Sequence, residues 1–185
     1  LYEVNKEVYN ILKYWKGISL YVGEKEQKVY FIDYKNYENN DFYIAEEVTV
    51  QGRNEKRPDI VIYINGIAIS VIELKRSTVS INEGIRQNLD NQTKRFIERF
   101  FTTIQFVIAG NDTEGLKYAT TLTKAKYYLP WIEDEKAIGK LHEKVKLLIN
   151  KNDFLIDQQL PSLFEKERII DLIDNFIIFD NGTKK

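Results

Sequence analysis

The chain has 185 residues, of which 43% are hydrophobic and 30% charged, an ordinary globular composition of a length that suits one domain around a single core. It has no cysteine and one histidine, His142, which excludes disulfides and thiolate metal sites and leaves little room for imidazole ligation or Ser-His chemistry. The formal net charge of −1 argues against a histone-like general binder, and no apolar run approaches the roughly 20 residues of a membrane span. The chain starts at Leu1 without a signal peptide and contains no methionine, which predicts a piece of a longer, cytoplasmic protein. Charge is uneven: residues 53–99 carry nine Lys/Arg against six Asp/Glu, whereas residues 1–52 carry six against nine. The middle of the chain is therefore its one locally basic part, as a phosphate-contacting face would be.

In chain order, residues 2–15 place Val4, Val8, Ile11, Leu12 and Trp15 at helical spacing, with Gly17 as a stop. Residues 28–34 (KVYFIDY) read as a strand and 37–41 as a polar turn. A second strand is expected over 41–50, with Phe42, Ile44, Val48 and Val50 on one parity, and 52–57 (GRNEKR) as a loop. Pro58 fits a strand's first residue. DIVIYI (59–64) and IAISVIELK (67–75) then form a hairpin about Asn65-Gly66, a strong turn signal. Both strands are apolar on both parities, which predicts a sheet covered on each face by helices. Residues 77–101 switch to helical period, with Ile85, Leu89, Gln92 and Phe96 as a stripe, and 102–110 reads as a buried strand. The order strand, strand, helix, strand gives an α/β core with a central mixed sheet flanked by helices. Further helices are expected over 133–149, through Ile138, Leu141, Val145 and Leu148, and over 161–178.

The hairpin is the chemically unusual part, because Asp59, Glu73 and Lys75 stand in the most hydrophobic stretch, where each must be compensated. Carboxylate oxygens are hard ligands suited to Mg²⁺, and a nearby lysine can hold or stabilise an attacked phosphate. Glu73 and Lys75 are two apart and share a strand face. A strict two-residue turn would put Asp59 opposite Ile72 and Glu73 on the other face. One extra residue, in the loop or as a bulge, would bring Asp59 opposite Glu73, and that irregularity is predicted. The plainer reading is that Asp59 caps the strand entry while Glu73 and Lys75 form an edge ion pair. A polar face follows at Gln87, Asn91, Lys94 and Glu98, with Arg86 and Asp90 as an i, i+4 pair. A Gln and a Lys or Arg there could reach a phosphate or a metal-bound water, or the face could simply be solvated.

RPDIVIYINGIAISVIELKRSTVSINEGIRQNLDNQ resembles the PD-(D/E)xK nuclease domain of the R (restriction and translocation) subunit of type I restriction enzymes. The flanks YFIDYKNYENNDFYIAEEVTVQG, FFTTIQFVIAGNDTEGLKYATT and KYYLPW agree, and the closing FIIFDNGTKK resembles the passage into that family's motor domain. The resemblance implies a restriction-endonuclease-like core at about 1–125, with a helical extension at about 126–185 leading to the motor, together forming one nuclease domain. It implies Asp59 and Glu73 as metal-binding carboxylates, the Leu74 carbonyl as a further ligand, and Lys75 as the catalytic lysine. Of the family's Gln-x-x-x-Tyr motif, Gln87 matches the glutamine and Asn91 stands where tyrosine would be. Many nucleases of this fold also use a glutamate on the first core helix, a position for which Glu7 is a candidate. Arg57, Arg76 and Arg86 are the candidate DNA contacts.

The resemblance further implies endonucleolytic cleavage of double-stranded DNA with Mg²⁺, for which Mn²⁺ substitutes. Methyltransferase (M) and specificity (S) subunits are the implied partners, since no helix-turn-helix, finger or other base-reading motif is present. ATP belongs to the absent motor: there is no G-x-x-x-x-G-K-[ST] loop, and Gly139-Lys140 is followed by Leu141. The alternatives are a RecB-like or resolvase-type nuclease on the same fold, or a non-catalytic DNA-clamping or subunit-docking module.

Overall fold

The protein is described by a computed structural model covering residues 1–14, 19–22, 25–134, 136, 141, 143–149 and 154–185. Helix α1 (Tyr2–Tyr14) is followed by a small antiparallel hairpin of β1 (Ser19–Val22) and β2 (Lys25–Lys28). The centre is a six-stranded sheet in sequential order: β3 (Phe42–Glu46), β4 (Ile60–Ile64), β5 (Ile67–Leu74), β6 (Phe106–Asn111), β7 (Gly115–Thr120) and β8 (Leu129–Pro130). Strands β5 and β6 are parallel and all other neighbours antiparallel. A parallel pair needs a crossover, and helix α2 (Ile81–Asn91) supplies it.

Both-parity hydrophobicity has the expected result, since side chains alternate between faces. On one face Val61, Val71 and Val107 pack under Ile81 and Ile85 of α2. On the other, Ile62, Ile72, Ile108 and Leu116 pack under Ile156 and Leu163 of α3 (Leu155–Leu163). Beside them Ile64, Ile69 and Phe106 meet Tyr9 and Leu12 of α1 and Ile169, Ile170 and Ile173 of α4 (Lys166–Asn175). A final short hairpin joins β9 (Phe179–Asp180) to β10 (Thr183–Lys184).

The hairpin carries the predicted irregularity. Asn65 (φ 50°) and Gly66 (φ 78°) form the two-residue turn, with positive φ at both positions as a type I′ turn requires. Pairing begins at Ile64 with Ile67 and Tyr63 with Ala68, then slips so that Ile62 faces Ser70 and Ile60 faces Ile72. Ile69 is the extra residue. Its side chain is fully buried, and its carbonyl accepts the Gln105 N–H at 2.7 Å, so the bulge is satisfied both apolarly and polarly. Continued by one residue, that register sets Asp59 opposite Glu73.

Several elements differ from the sequence expectation. Residues 29–34 form a loop and not a strand, because the Asn40 side chain binds both backbone groups of Asp33, accepting its N–H at 2.8 Å and donating to its carbonyl at 2.9 Å, and Asp33 Oδ1 accepts from the Lys35 and Asn36 N–H groups. Such local side-chain bonds compete with ladder formation. The strand read over 41–50 stops at Glu46, since Glu47 takes φ 51°, and Ile44 is 72% exposed where a buried parity was expected. In α1 it is Asn5, Tyr9 and Leu12 that are buried, and Val4 is exposed. Asn5 Nδ2 donates to the carbonyls of Phe101, Thr102 and Ile104, a set of acceptors that only a polar residue can satisfy.

The helix read over 77–101 runs only from its cap at Ser80 to Asn91. Gln92 then donates to the Asn88 carbonyl and accepts the Leu122 N–H, and the Thr93 hydroxyl takes the Asp90 carbonyl. These bonds end the helix, so Phe96 leaves the stripe and Lys94 and Glu98 lie beyond the face they were assigned to. A 3-10 turn occupies Glu98–Thr102, and the following strand starts at Phe106. Strands β7 and β8 had no sequence assignment. Of 133–149, only Lys136 and Glu143–Lys146 are helical among the described residues, with Leu148 exposed. The helix over 161–178 is the end of α3 and all of α4, broken at Phe164 and Glu165. Trp15, Gly17, Ile138, Gly139, Lys140 and His142 lie outside the described residues.

Gly66 has open space around a Cβ, so a side chain there is opposed only by its left-handed backbone. Gly66→Ala should lower stability by about 1 kcal/mol in chemical denaturation.

Candidate active site

Asp59 follows the buried Pro58 at the mouth of β4, and Glu73 lies one residue from the end of β5 with no exposed surface. The Leu74 N–H donates to Asp59 Oδ2 at 2.7 Å, which ties the two strand ends together at the site. Lys75 continues β5, and its N–H is held by the Gly110 carbonyl at 2.9 Å. Its ammonium stands 4.0 Å from both Asp59 Oδ2 and Glu73 Oε2 and donates to the Leu74 carbonyl at 3.0 Å. The three ionisable groups named from the sequence therefore meet at one point.

Helix α2 closes the site from above. Gln87 Nε2 donates to Glu73 Oε2 at 2.5 Å and Asn91 Nδ2 to Glu73 Oε1 at 3.0 Å. The two amides are i, i+4 neighbours on one helical face. Between them Asn88 Nδ2 donates to the Ile108 carbonyl at 2.8 Å, which pins the helix to β6. Its start is fixed by the Ser80 cap and by Glu114 Oε1, which accepts the Ile81 N–H at 2.8 Å. Asn91, which stands at the tyrosine position of the Gln-x-x-x-Tyr motif, joins Gln87 on the buried carboxylate, a contact that the sequence signalled only through that spacing.

Burial, and then the nearby charge of Asp59, push the Glu73 carboxyl up to about 8, against the opposing pull of Lys75. A carboxylate so placed is stabilised by a cation, and the donors present are hard oxygens: Asp59, Glu73 and the Leu74 carbonyl. That set fits Mg²⁺, which takes one or two carboxylates and completes its shell with water and phosphate. Among the described residues there is no group of three or more acidic or imidazole side chains that could hold a metal, so this site would rest on two carboxylates and a carbonyl.

The other candidates are placed less tellingly. Arg57 is exposed and 3.5 Å from Glu47. Arg86 is exposed and bonded to Glu83 at 2.5 Å, with Asp90 at 3.5 Å. Arg76 is exposed and has no ion-pair partner among the described residues. Glu7 is exposed on α1 and bonds to none of the hairpin's groups.

A family profile described as the type I restriction enzyme R protein N terminus matches residues 1–126. The chain belongs to this family. It is 31% identical over 180 residues to a Methanocaldococcus jannaschii protein whose name, MjaVIIIP endonuclease subunit, places it with type I restriction enzymes; the match covers 94% of this chain and 16% of that protein. It is 22% identical over 162 residues to the type I restriction enzyme EcoprrI endonuclease subunit of Escherichia coli, covering 84% of this chain and 47% of that protein. A third relative, the SauMSSORF170P endonuclease subunit of Staphylococcus aureus, is 34% identical over 97 residues, 49% of this chain and 10% of the other. The chain thus spans less than half of each family member compared, from 10% to 47%.

Raising a carboxyl's pKa in the folded state stabilises the fold while the group is protonated; that stability is lost as pH rises from the unfolded value of about 4.5 to the folded value of about 8. Without metal, Glu73→Gln should therefore melt near wild type at pH 4.5 and several degrees higher at pH 8.5. Adding Mn²⁺ should raise the wild-type melting temperature at pH 8.5 and leave the variant's unchanged.

Proposed function

We propose that this chain is the nuclease part of a type I restriction enzyme R subunit and that it cuts double-stranded DNA with Mg²⁺, for which Mn²⁺ can substitute. The observation that carries the reading is the register shift at Ile69, which sets Asp59 opposite Glu73 with the Lys75 ammonium 4.0 Å from each. A hairpin built for packing alone has no need of a bulge that turns a second carboxylate toward a fully buried first one.

In this reading Asp59, Glu73 and the Leu74 carbonyl hold the divalent cation. Bound there, it would acidify a water and offset charge on the attacked phosphate. Gln87 and Asn91 orient the Glu73 carboxylate and keep both its oxygens in place. Lys75 already spans the two carboxylates, and its ammonium can turn a proton toward a non-bridging phosphate oxygen as charge builds there. Position on strand ends gives these groups tighter geometry than a loop would. Cutting in the complete subunit is proposed to be coupled to ATP-driven translocation by a motor domain, with M and S subunits supplying site recognition.

The test uses the full-length subunit assembled with its partners, following plasmid cleavage and ATP hydrolysis together. Lys75→Ala should retain wild-type ATPase and lose cleavage by at least about a hundredfold, the size of one lost electrostatic stabiliser. Cleavage at the wild-type rate would mean that the hairpin is structural. Trimming from ends, or a preference for branched DNA, would assign the same site to an exonuclease or a resolvase.

A further inference from the structure

The loop before the hairpin contains a cation built into the site's edge. Residues 51–57 are exposed with the single exception of Lys56, which is half-buried. Its backbone is fixed in both directions by a bridge to Val50, at 2.8 and 3.1 Å. Its ammonium lies 4.1 Å from the centroid of the Phe96 ring, inside the range of a cation–π contact. Among the described residues no carboxylate lies within ion-pair distance of it, in contrast to its neighbour Arg57 and to Arg86.

The placement is set by the chain around it. The Arg53 N–H donates to the Phe96 carbonyl at 3.0 Å and Asn54 Nδ2 to the Arg95 carbonyl at 2.7 Å. A Cβ at Gly52 would stand 2.3 Å from the Phe96 carbonyl oxygen, so only glycine allows the loop this close. The turn that it grips follows directly from α2, whose Gln87 and Asn91 hold Glu73. Lys56 is also three residues before Asp59, and its charge is close enough to favour the ionised form of Glu73.

Resting on the nuclease reading above, we propose that Lys56 is a substrate-positioning residue of this site: its ammonium, shelved on Phe96, takes a non-bridging oxygen of the DNA backbone beside the attacked phosphate. An unpaired, partly desolvated ammonium is suited to a phosphate oxygen, and the aromatic shelf limits the conformations it must give up on binding. The metal would be held by the hairpin without it; Lys56 adds positive charge at that edge and should, if anything, weaken cation affinity.

The assembled full-length enzyme provides the test. Lys56→Ala should cut DNA about tenfold more slowly than wild type with unchanged ATPase, and Lys56→Arg should recover most of the rate. Gly52→Ala, which pushes the loop off Phe96, should reproduce the Lys56→Ala defect. The readout that a merely structural lysine would not satisfy is Mn²⁺ binding, measured as the affinity that Asp59→Ala removes. It should be unchanged or tighter in Lys56→Ala. Wild-type cleavage by Lys56→Ala overturns the proposal, as does a cleavage loss accompanied by weakened Mn²⁺ binding. If Lys75→Ala abolishes cleavage and Lys56→Ala does not alter it, only this inference fails. If neither variant affects cleavage, the nuclease reading fails and takes the inference with it.

Discussion

Glu73 is a carboxylate without exposed surface, set opposite another carboxylate, and the architecture around it is what makes that tolerable. An isolated ionised carboxylate in an apolar medium is very costly, and a protein's usual remedy is to neutralise it or pair it. Here the group meets two amide donors, one ammonium and a high pKa. Each remedy comes from a different element: α2 brings the amides and the end of β5 the ammonium. The crossover that makes β5 and β6 parallel is also what lays α2 across the carboxylate.

The bulge at Ile69 links packing to chemistry. A plain ladder from Asn65-Gly66 would send Asp59 and Glu73 to opposite faces, because strand parity is strict. The extra residue changes the parity for the entire far end of the hairpin. Its cost is small, since the Ile69 side chain enters the core beside α1 and α4 and its carbonyl is bonded to Gln105. The turn end and the site end of the same hairpin therefore follow different registers, each suited to its own task. Bulges are frequent beside active sites for this reason.

Much of this could be read from the residues. The apolar runs 60–64 and 67–72 revealed the sheet's centre and its two covered faces, and the odd offset between Asp59 and Glu73 predicts an irregularity if the two carboxylates share a face. The less legible parts depended on distant partners. KVYFIDY alternates as a strand does, yet Asn40 captures Asp33 and turns it into a loop. Residues 92–101 keep helical periodicity, but the Gln92 side chain prefers the Leu122 N–H and closes the helix. Asn91 was visible as one polar position among four and as the residue at the tyrosine position of the Gln-x-x-x-Tyr motif, but nothing local indicates that an amide there faces a buried acid. Lys56 looked like any charge in a polar loop; the Phe96 shelf that distinguishes it is 40 residues away in sequence.

The most direct test of the account is a crystal of the protein soaked in Mn²⁺, with the anomalous signal used to locate the ion. One dominant peak is expected at metal–oxygen distance, about 2.0–2.2 Å as for a compact hard cation, from both the Asp59 and Glu73 carboxylates and near the Leu74 carbonyl, absent in Asp59→Ala. A saturating soak that leaves this point empty, with Glu73 still held by Gln87 and Asn91, would contradict it and reduce the hairpin to scaffold.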